Sequence, residues 1–146
     1  MALSALRYDY PDGEGSARSW ARSLNLSGLG QRVFFGVPKK PAFPLVIVAR
    51  VAGRPVRGVP VDRPVIQFDV LGVTPEAGQT PSDKLTLSAI ADALVSEAES
   101  LASGTVVAPG VVCLGAEVEN GPVWSPSPVD RRSRYSLDIA FALRKA

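Results

Sequence analysis

The chain has 146 residues, of which 46% are hydrophobic and 21% charged, and its formal net charge is +2. This size and composition are typical of one globular domain with a sizeable core. The small net charge argues against a dedicated nucleic-acid-binding protein, which would carry a clear excess of basic residues. We expect a single domain over residues 1–146, with residues 1–14 forming a flexible or loosely packed segment.

Residues suited to catalysis are few. The chain contains no histidine, the commonest general base near neutral pH. Its single cysteine, Cys113, lies in an apolar run and is expected to be buried. Glu97 and Glu99 do not face each other on a helix, whereas Glu117 and Glu119 share a strand face beside a loop. The sequence has neither a glycine-rich phosphate loop nor a Cys/His zinc spacing. We therefore predict no enzymatic activity, no cofactor and no metal site.

The beginning of the chain lacks the pattern of a signal peptide. Charged Arg7 and Asp9 follow too short an apolar stretch for a leader. No apolar run approaches the roughly 18 residues that a transmembrane helix needs. We expect synthesis in the cytoplasm and no membrane partner.

The N-terminal half predicts one short helix followed by three strands. Apolar residues at three- and four-residue spacing indicate a helix over residues 15–24, with Asp12 or Ser16 as its cap. Further on, apolar and polar residues alternate as in strands. Gln67 and Asp69 oppose the apolar face of the third strand, which leaves a wet or partner-facing side. The predicted strands cover residues 32–37, 44–52 and 64–71.

A long helix after the third strand is the best-marked element. Thr80 is expected to cap it, Pro81 to fit its first turn, and Asp83 to reach back as in a capping box. Gly104 is expected to stop it. An apolar stripe predicts that the helix packs on one face of the sheet. The stripe consists of Leu87, Ile90, Ala91, Leu94, Ala98 and Leu101.

The last third of the chain predicts two more strands. The first covers residues 106–118 and is broken near Pro109, and the second covers residues 135–143. Between them, residues 120–128 are rich in glycine and proline and predict a loop without regular structure. The whole pattern predicts an α+β fold. It has a mostly antiparallel sheet of about five strands, one long helix on a face, and a short N-terminal helix.

Charged residues suggest a contact between copies. Arginine outnumbers lysine twelve to four, and arginine suits interfaces. One basic group, Arg50, Arg54, Arg57 and Arg63, surrounds the predicted turn at residues 53–58. These arginines either keep the surface soluble and blunt sheet edges or contact a partner. We expect this hairpin to meet the acidic long helix of a neighbouring copy, head to tail. The acidic residues of that helix are Asp83, Asp92, Glu97 and Glu99.

Two further features are candidates for partner contact. Arg131, Arg132 and Arg134 lie at the start of the last strand. Trp124 either packs within its own domain or anchors a partner, because tryptophan is enriched at interface hot spots. The candidate interface residues are Arg54, Arg57, Asp92, Glu99, Trp124, Arg131, Arg132 and Arg134.

Four short segments form a series along the chain. Arg-Val-Phe at residues 32–34 follows the short helix, and Pro-Val-Ile-Gln-Phe-Asp-Val-Leu-Gly at 64–72 precedes the long one. Gly-Pro-Val-Trp at 121–124 is followed by Arg-Tyr-Ser-Leu-Asp-Ile-Ala-Phe at 134–141. This series resembles the tail terminator (tail completion) proteins of long-tailed bacteriophages. The resemblance covers nearly the whole chain in element order, although the proline-rich loop and the basic second hairpin depart from the pattern.

The resemblance implies a structural protein of the virion. Such proteins form a ring, usually a homohexamer, on the head-proximal end of the tail tube, where they stop tube polymerisation and provide the head-joining surface. The implied partners are other copies of the chain, the major tail tube protein and the head–tail connector. DNA passes through the lumen without sequence-specific binding.

Two other functions stay open at this point. A different head–tail connector or neck protein would bind the connector of the head rather than the tail tube. A small oligomeric α+β ligand-binding protein or enzyme would have a site between subunits. Its candidates for anion capture are Arg131, Arg132, Arg134 and Tyr135.

Overall fold

The computed structural model describes residues 9–146. Residues 1–8, and with them most of the N-terminal segment expected to be loosely packed, lie outside the described part, whereas residues 13 and 14 already belong to the first helix. The fold is α+β, with a six-stranded mixed sheet and two helices. Neither helix within residues 9–146 has the length and hydrophobicity that a membrane crossing requires. In chain order the elements are α1 (Gly13–Ser23), β1 (Val33–Phe34), β2 (Leu45–Pro55), β3 (Asp62–Leu71), α2 (Lys84–Glu99), β4 (Thr105–Ala108), β5 (Val111–Trp124) and β6 (Arg134–Lys145).

The sheet has the strand order β1-β2-β3-β6-β5-β4. Only β1 and β2 are parallel, and the other four neighbouring pairs are antiparallel. The mostly antiparallel prediction is therefore confirmed, with six strands rather than about five. The predicted fourth strand divides into β4 and β5 because Gly110, at φ 72°, turns the chain between them. The first strand, predicted over residues 32–37, consists only of the two residues Val33–Phe34 of β1.

The start of α2 differs from the prediction. The helix begins at Lys84, so Thr80 does not cap it, and it ends at Glu99, five residues before Gly104. Asp83 directly precedes the helix but makes no side-chain cap bond. Its Oδ2 instead accepts a hydrogen bond from the backbone N–H of Val73 at 2.9 Å. The carboxylate therefore holds the loop that leads out of β3.

The glycine- and proline-rich segment is partly a strand. Residues 120–124 belong to β5, so the prediction of a loop over residues 120–128 is wrong for its first five residues. The pairing of β5 with β6 shifts register between Val118 and Asn120, and again between Asn120 and Val123. These irregularities let the strand continue through Pro122, which cannot donate a ladder hydrogen bond.

Both helices pack on one face of the sheet. Trp20 of α1 contacts two aromatic rings of the sheet, with centroid separations of 6.0 Å to Phe68 and 5.3 Å to Phe141. Edge-to-face arrangements of this kind add to the stability gained from apolar burial. The predicted stripe of α2 is buried in the same cluster, except that Leu101 lies beyond the helix and is half-buried. The apolar faces predicted for β3 and β6 are confirmed.

The opposite face of the sheet, called the open face below, is covered by neither helix. Its centre carries half-buried polar side chains, as the alternation in β3 predicts. Gln67 Nε2 donates to Asp69 Oδ1 at 2.9 Å, and the Ser136 hydroxyl donates to the same oxygen. Asn120 Nδ2 donates to Asp138 Oδ2 at 2.7 Å. Asp69 and Asp138 thus each have a hydrogen-bond donor beside them, which lowers the cost of their partial burial.

Candidate assembly surface

Residues 51–61 form a hairpin, called the arm below. Residues 51–60 are all exposed, and residue 61 is half-buried. The arm lacks helix cover because the N-terminus of α1 reaches only the base of the hairpin, where Gly13 lies against Pro64. The turn is closed by a hydrogen bond from the N–H of Val56 to the carbonyl of Val61, at 2.7 Å. The arm therefore stands out from the body as a two-stranded ribbon.

The sequence predicted a turn over residues 53–58, but the strand β2 continues to Pro55. Two local features bend the ribbon. The register of β2 against β3 shifts between Arg50 and Ala52, and Gly53 has φ +92°. A side chain at Gly53 would place its Cβ 2.0 Å from the carbonyl oxygen of Arg63. Only glycine permits this approach.

We expect Gly53→Ala to destabilise the arm and the protein. The left-handed backbone alone costs a non-glycine residue about 1–3 kcal/mol, and the clash with Arg63 forces the two strands apart. The free energy of unfolding, measured by urea denaturation, should fall by at least this amount. Gly58→Ala is the matched control, because Gly58 has φ +82° in the same arm but no atom within 4 Å of the added Cβ. Equal losses for the two variants would contradict the close approach at Gly53.

Arg54 and Arg57 are both exposed and line one groove of about 550 Å³. Arg63 and Glu119 also line it. Arg63 Nη2 lies 3.8 Å from Glu117 Oε2, and both side chains are about half exposed or more. A pair so accessible to water contributes little stability. The groove thus presents guanidinium groups at the surface of the arm.

Arg50 has a different role from the other arginines of its group. Its Nη1 lies 2.7 Å from Asp62 Oδ2, and its Nη2 donates to Asp62 Oδ1 at 3.0 Å. Asp62 is only 3% exposed, and the hydrogen bond from Arg50 raises the pKa of the guanidinium. The backbone N–H of Arg50 donates to Glu14 Oε2 at 2.7 Å. These contacts tie the base of the arm to α1, so Arg50 stabilises the fold.

The acidic residues lie on the other half of the sheet. Helix α2 packs over β5 and β6, and its residues Asp92 and Glu99 are exposed. Glu97 is exposed on the same helix. Glu117 and Glu119 of β5 are also exposed, but they do not extend this helical surface, because Glu117 lies beside Arg63 and Glu119 lines the groove of the arm. Asp83 does not belong to it, because its carboxylate holds the loop after β3.

The three arginines near the last strand do not converge on one point. Arg131, in a left-handed backbone conformation with φ 57°, directs its Nη2 to the carbonyl of Glu76 at 3.2 Å. Arg134 Nε donates to the carbonyl of Ser125 at 2.7 Å. Both guanidinium groups thus bind carbonyl oxygens of their own chain and hold the loops that flank them.

Arg132 lies between these two arginines and is half-buried. Its guanidinium carbon stands 4.7 Å from the ring centroid of Phe43, in cation–π contact. Its backbone N–H donates to Asp130 Oδ1 at 3.1 Å, and this bond is the main reason why the pKa of the Asp130 carboxyl lies below its ordinary value. Tyr135, the fourth residue proposed for anion capture, packs against Trp124 instead. The four side chains therefore do not form a common anion pocket.

Trp124 makes its contacts within its own chain. Its ring centroid lies 5.2 Å from that of Tyr135, and Lys84 Nζ lies 4.9 Å from the Trp124 centroid. The side chain is half-buried at the end of β5. Trp124 therefore joins β6 and the start of α2, and part of its ring stays accessible.

Cys113 is fully buried in β5, as the apolar run predicts. Its thiol donates to the carbonyl of Gly115 at 3.2 Å, and burial raises its pKa. Because the thiolate is the reactive form, we expect the native protein to resist alkylation by iodoacetamide. The unfolded protein should react fully, with mass spectrometry as the readout. Equal labelling rates in native buffer and in denaturant would contradict this burial.

Within residues 9–146, no group of three or more histidine, cysteine, aspartate or glutamate side chains is placed to hold a metal ion. No protein-family profile matches the chain, and no curated protein matches it in sequence. The residues themselves are therefore the basis for a functional proposal.

Proposed function

We propose that this protein is a tail terminator of a long-tailed bacteriophage. In this proposal it forms a ring, most simply a hexamer, on the head-proximal end of the tail tube. The ring stops addition of the tube protein and offers the surface to which the head connector binds. The protein acts in the virion as a structural component, without catalysis or a cofactor.

One observation carries the proposal beyond the sequence resemblance. The basic arm extends from β2 and β3, whereas the exposed acidic residues of α2 lie over β5 and β6, on the other half of the same sheet. Two different, complementary sides favour head-to-tail association, which gives a closed ring when the rotation between copies closes. Arg54 and Arg57 of one copy would then face Asp92 and Glu99 of the next.

The near-neutral charge of the chain suits a channel through which DNA moves. A lumen lined with many basic residues would bind phosphates tightly and in a salt-dependent manner. Such binding would slow the passage of DNA. The formal charge of +2 is therefore compatible with a lumen that DNA crosses without sequence-specific contacts.

Tail tubes assembled without this protein provide the direct test. Purified protein is added to such tubes, and the tube ends are imaged by electron microscopy. We expect a ring at one end of each tube, an end to further tube growth, and restored joining to filled heads. When the Arg54→Glu/Arg57→Glu variant is added in place of the wild type, we expect no rings to form.

The other outcomes separate the alternative functions. If the protein binds filled heads but not tubes, it acts as a connector or neck protein rather than as a terminator. Binding to neither would contradict a role in the tail. Saturable binding of a small anion by the folded protein would then support the oligomeric ligand-binding protein.

A further inference from the structure

The outer edge of β5 lacks a neighbouring strand over most of its length. Strand β4 pairs only with residues 111–113 of β5. Within residues 9–146, no strand pairs with the outer side of residues 114–124. A free edge of this kind offers backbone N–H and C=O groups to an added strand.

The arm also has an edge without a strand beside it. On the outer side of β2, β1 pairs with Val46 and Ile47, and Glu14 binds the N–H of Arg50. Among the described residues, positions 52–55 pair with β3 alone. In a single copy, β3 and β6 lie between the arm and β5. The arm therefore cannot reach the outer edge of its own β5.

The register of the strands shows which charges would meet. Arg54 pairs with Arg63. Arg63 lies two residues before Val65 in β3, so the side chains of Arg54, Arg63 and Val65 are on the same face. Val65 pairs with Ala140, and Ala140 pairs with Glu117. Arg54 and Glu117 therefore occupy the same open face, at opposite sides of the sheet. In a single copy Glu117 already lies 3.8 Å from Arg63 of its own chain. Joining two sheets edge to edge with their open faces continuous brings a second arginine, Arg54 of the neighbouring copy, to this exposed glutamate.

We propose that the arm of one copy adds to the free edge of β5 in a second copy, with Arg54 near Glu117 on a continuous open face. This inference rests on the proposed head-to-tail ring and assigns its contact to β5 rather than to α2. Association would also cover Val51, Val56 and Val59 of the arm, which are 49%, 36% and 40% exposed. Because α2 packs on the opposite face of the sheet, this strand addition gives Arg54 a partner on β5 in place of Asp92 and Glu99.

Site-directed crosslinking between copies tests the contact. One variant carries Ala52→Cys in the arm and another carries Gly121→Cys in β5, where an added Cβ meets no atom within 4 Å. The two are mixed with a short bis-maleimide, and tags of different size distinguish mixed from identical pairs. Ser96→Cys on α2 and Ala42→Cys in the loop before β2 serve as alternative and remote partners for the arm. The buried native Cys113 is present in all variants. Circular dichroism confirms that each variant is folded.

We expect the Ala52→Cys and Gly121→Cys chains to crosslink several-fold more than the Ala52→Cys and Ala42→Cys chains, in concentrated protein or on tail tubes. Adding Arg54→Glu to the arm variant should reduce this product, and Glu117→Arg in the β5 variant should restore it. Crosslinking to Ser96→Cys alone would overturn strand addition in favour of a purely helical contact. Yields no higher than with the remote partner, in solution and on tubes, would also overturn it.

Failure of the inference and failure of the proposed function give different results. Rings that cap tubes without a crosslink between arm and β5 would leave the terminator function in place and overturn the strand addition. A strong crosslink in protein that never caps a tube would support the strand addition and contradict the terminator function.

Discussion

The Arg54→Glu/Arg57→Glu variant is expected to remain folded and to lose self-assembly. Both side chains are exposed on the arm, away from the core, so surface substitutions there should change stability by no more than about 0.5 kcal/mol. In the proposed ring, each reversed charge faces glutamate or aspartate of the next copy. Like charges brought together at an interface cost several kcal/mol, which is enough to prevent ring formation.

Sedimentation velocity and negative-stain images of capped tubes measure this loss. Lys39→Glu/Lys40→Glu is the matched control, because these two residues are also exposed and adjacent to a prolyl turn, and the net charge changes by the same amount. The control should assemble like the wild type. If the Arg54→Glu/Arg57→Glu variant still forms rings, the arm is excluded as the contact. Restoration by Asp92→Arg/Glu99→Arg would identify the helix as its partner.

Trp20→Ala is expected to cause the largest loss of stability. Trp20 is 4% exposed and packs against Phe68 and Phe141, so truncation leaves a cavity where α1 meets the sheet. Replacing a buried tryptophan or phenylalanine by alanine typically costs about 3–5 kcal/mol. A domain of this size has a total stability of about 5–15 kcal/mol. The variant should therefore unfold at a much lower temperature and urea concentration.

Trp124→Ala is the natural comparison, since it removes the same side chain from a half-buried position. Its loss should stay within the ordinary range of about 0.5–3 kcal/mol, because the side chain is half-buried at the end of β5, with Tyr135 and Lys84 against its ring. Urea denaturation followed by circular dichroism compares the two variants. Equal losses would show that the contact between α1 and the sheet is weaker than its burial indicates.

Sequence patterns predicted the parts of the fold that the core determines. The stripe of α2 and the alternating residues of β3 and β6 follow from the burial of one face of each element, and periodicity records that burial directly. The start of α2 could not be predicted in this way. Asp83 binds the N–H of Val73, ten residues earlier in the chain, and this contact exists only after the loop has folded.

The candidate assembly surface, too, could be predicted only in part from the sequence. Exposure of Arg54 and Arg57 could be predicted from the polar, glycine- and proline-rich segment around them, although Arg54 lies in β2. Arg50, in contrast, belongs to the base of the arm through Asp62 and Glu14, the latter 36 residues away. Neighbouring arginines near β6 bind different loops because the left-handed backbone at Arg131 turns its side chain aside. Neither arrangement is visible in the spacing of residues.

Residues 145 and 146 lie at one corner of the sheet. Lys145 contacts Asp9, and the N–H of Ala146 donates to the carbonyl of Gly110 at 2.9 Å. By the register of the strands, this corner lies at the same end of the sheet as the turn of the arm, opposite the start of α2. A gold particle or fluorescent protein attached after residue 146 would therefore mark that end of the sheet. In micrographs of the proposed ring on tail tubes, its position would reveal whether the arms point toward the tube or away from it.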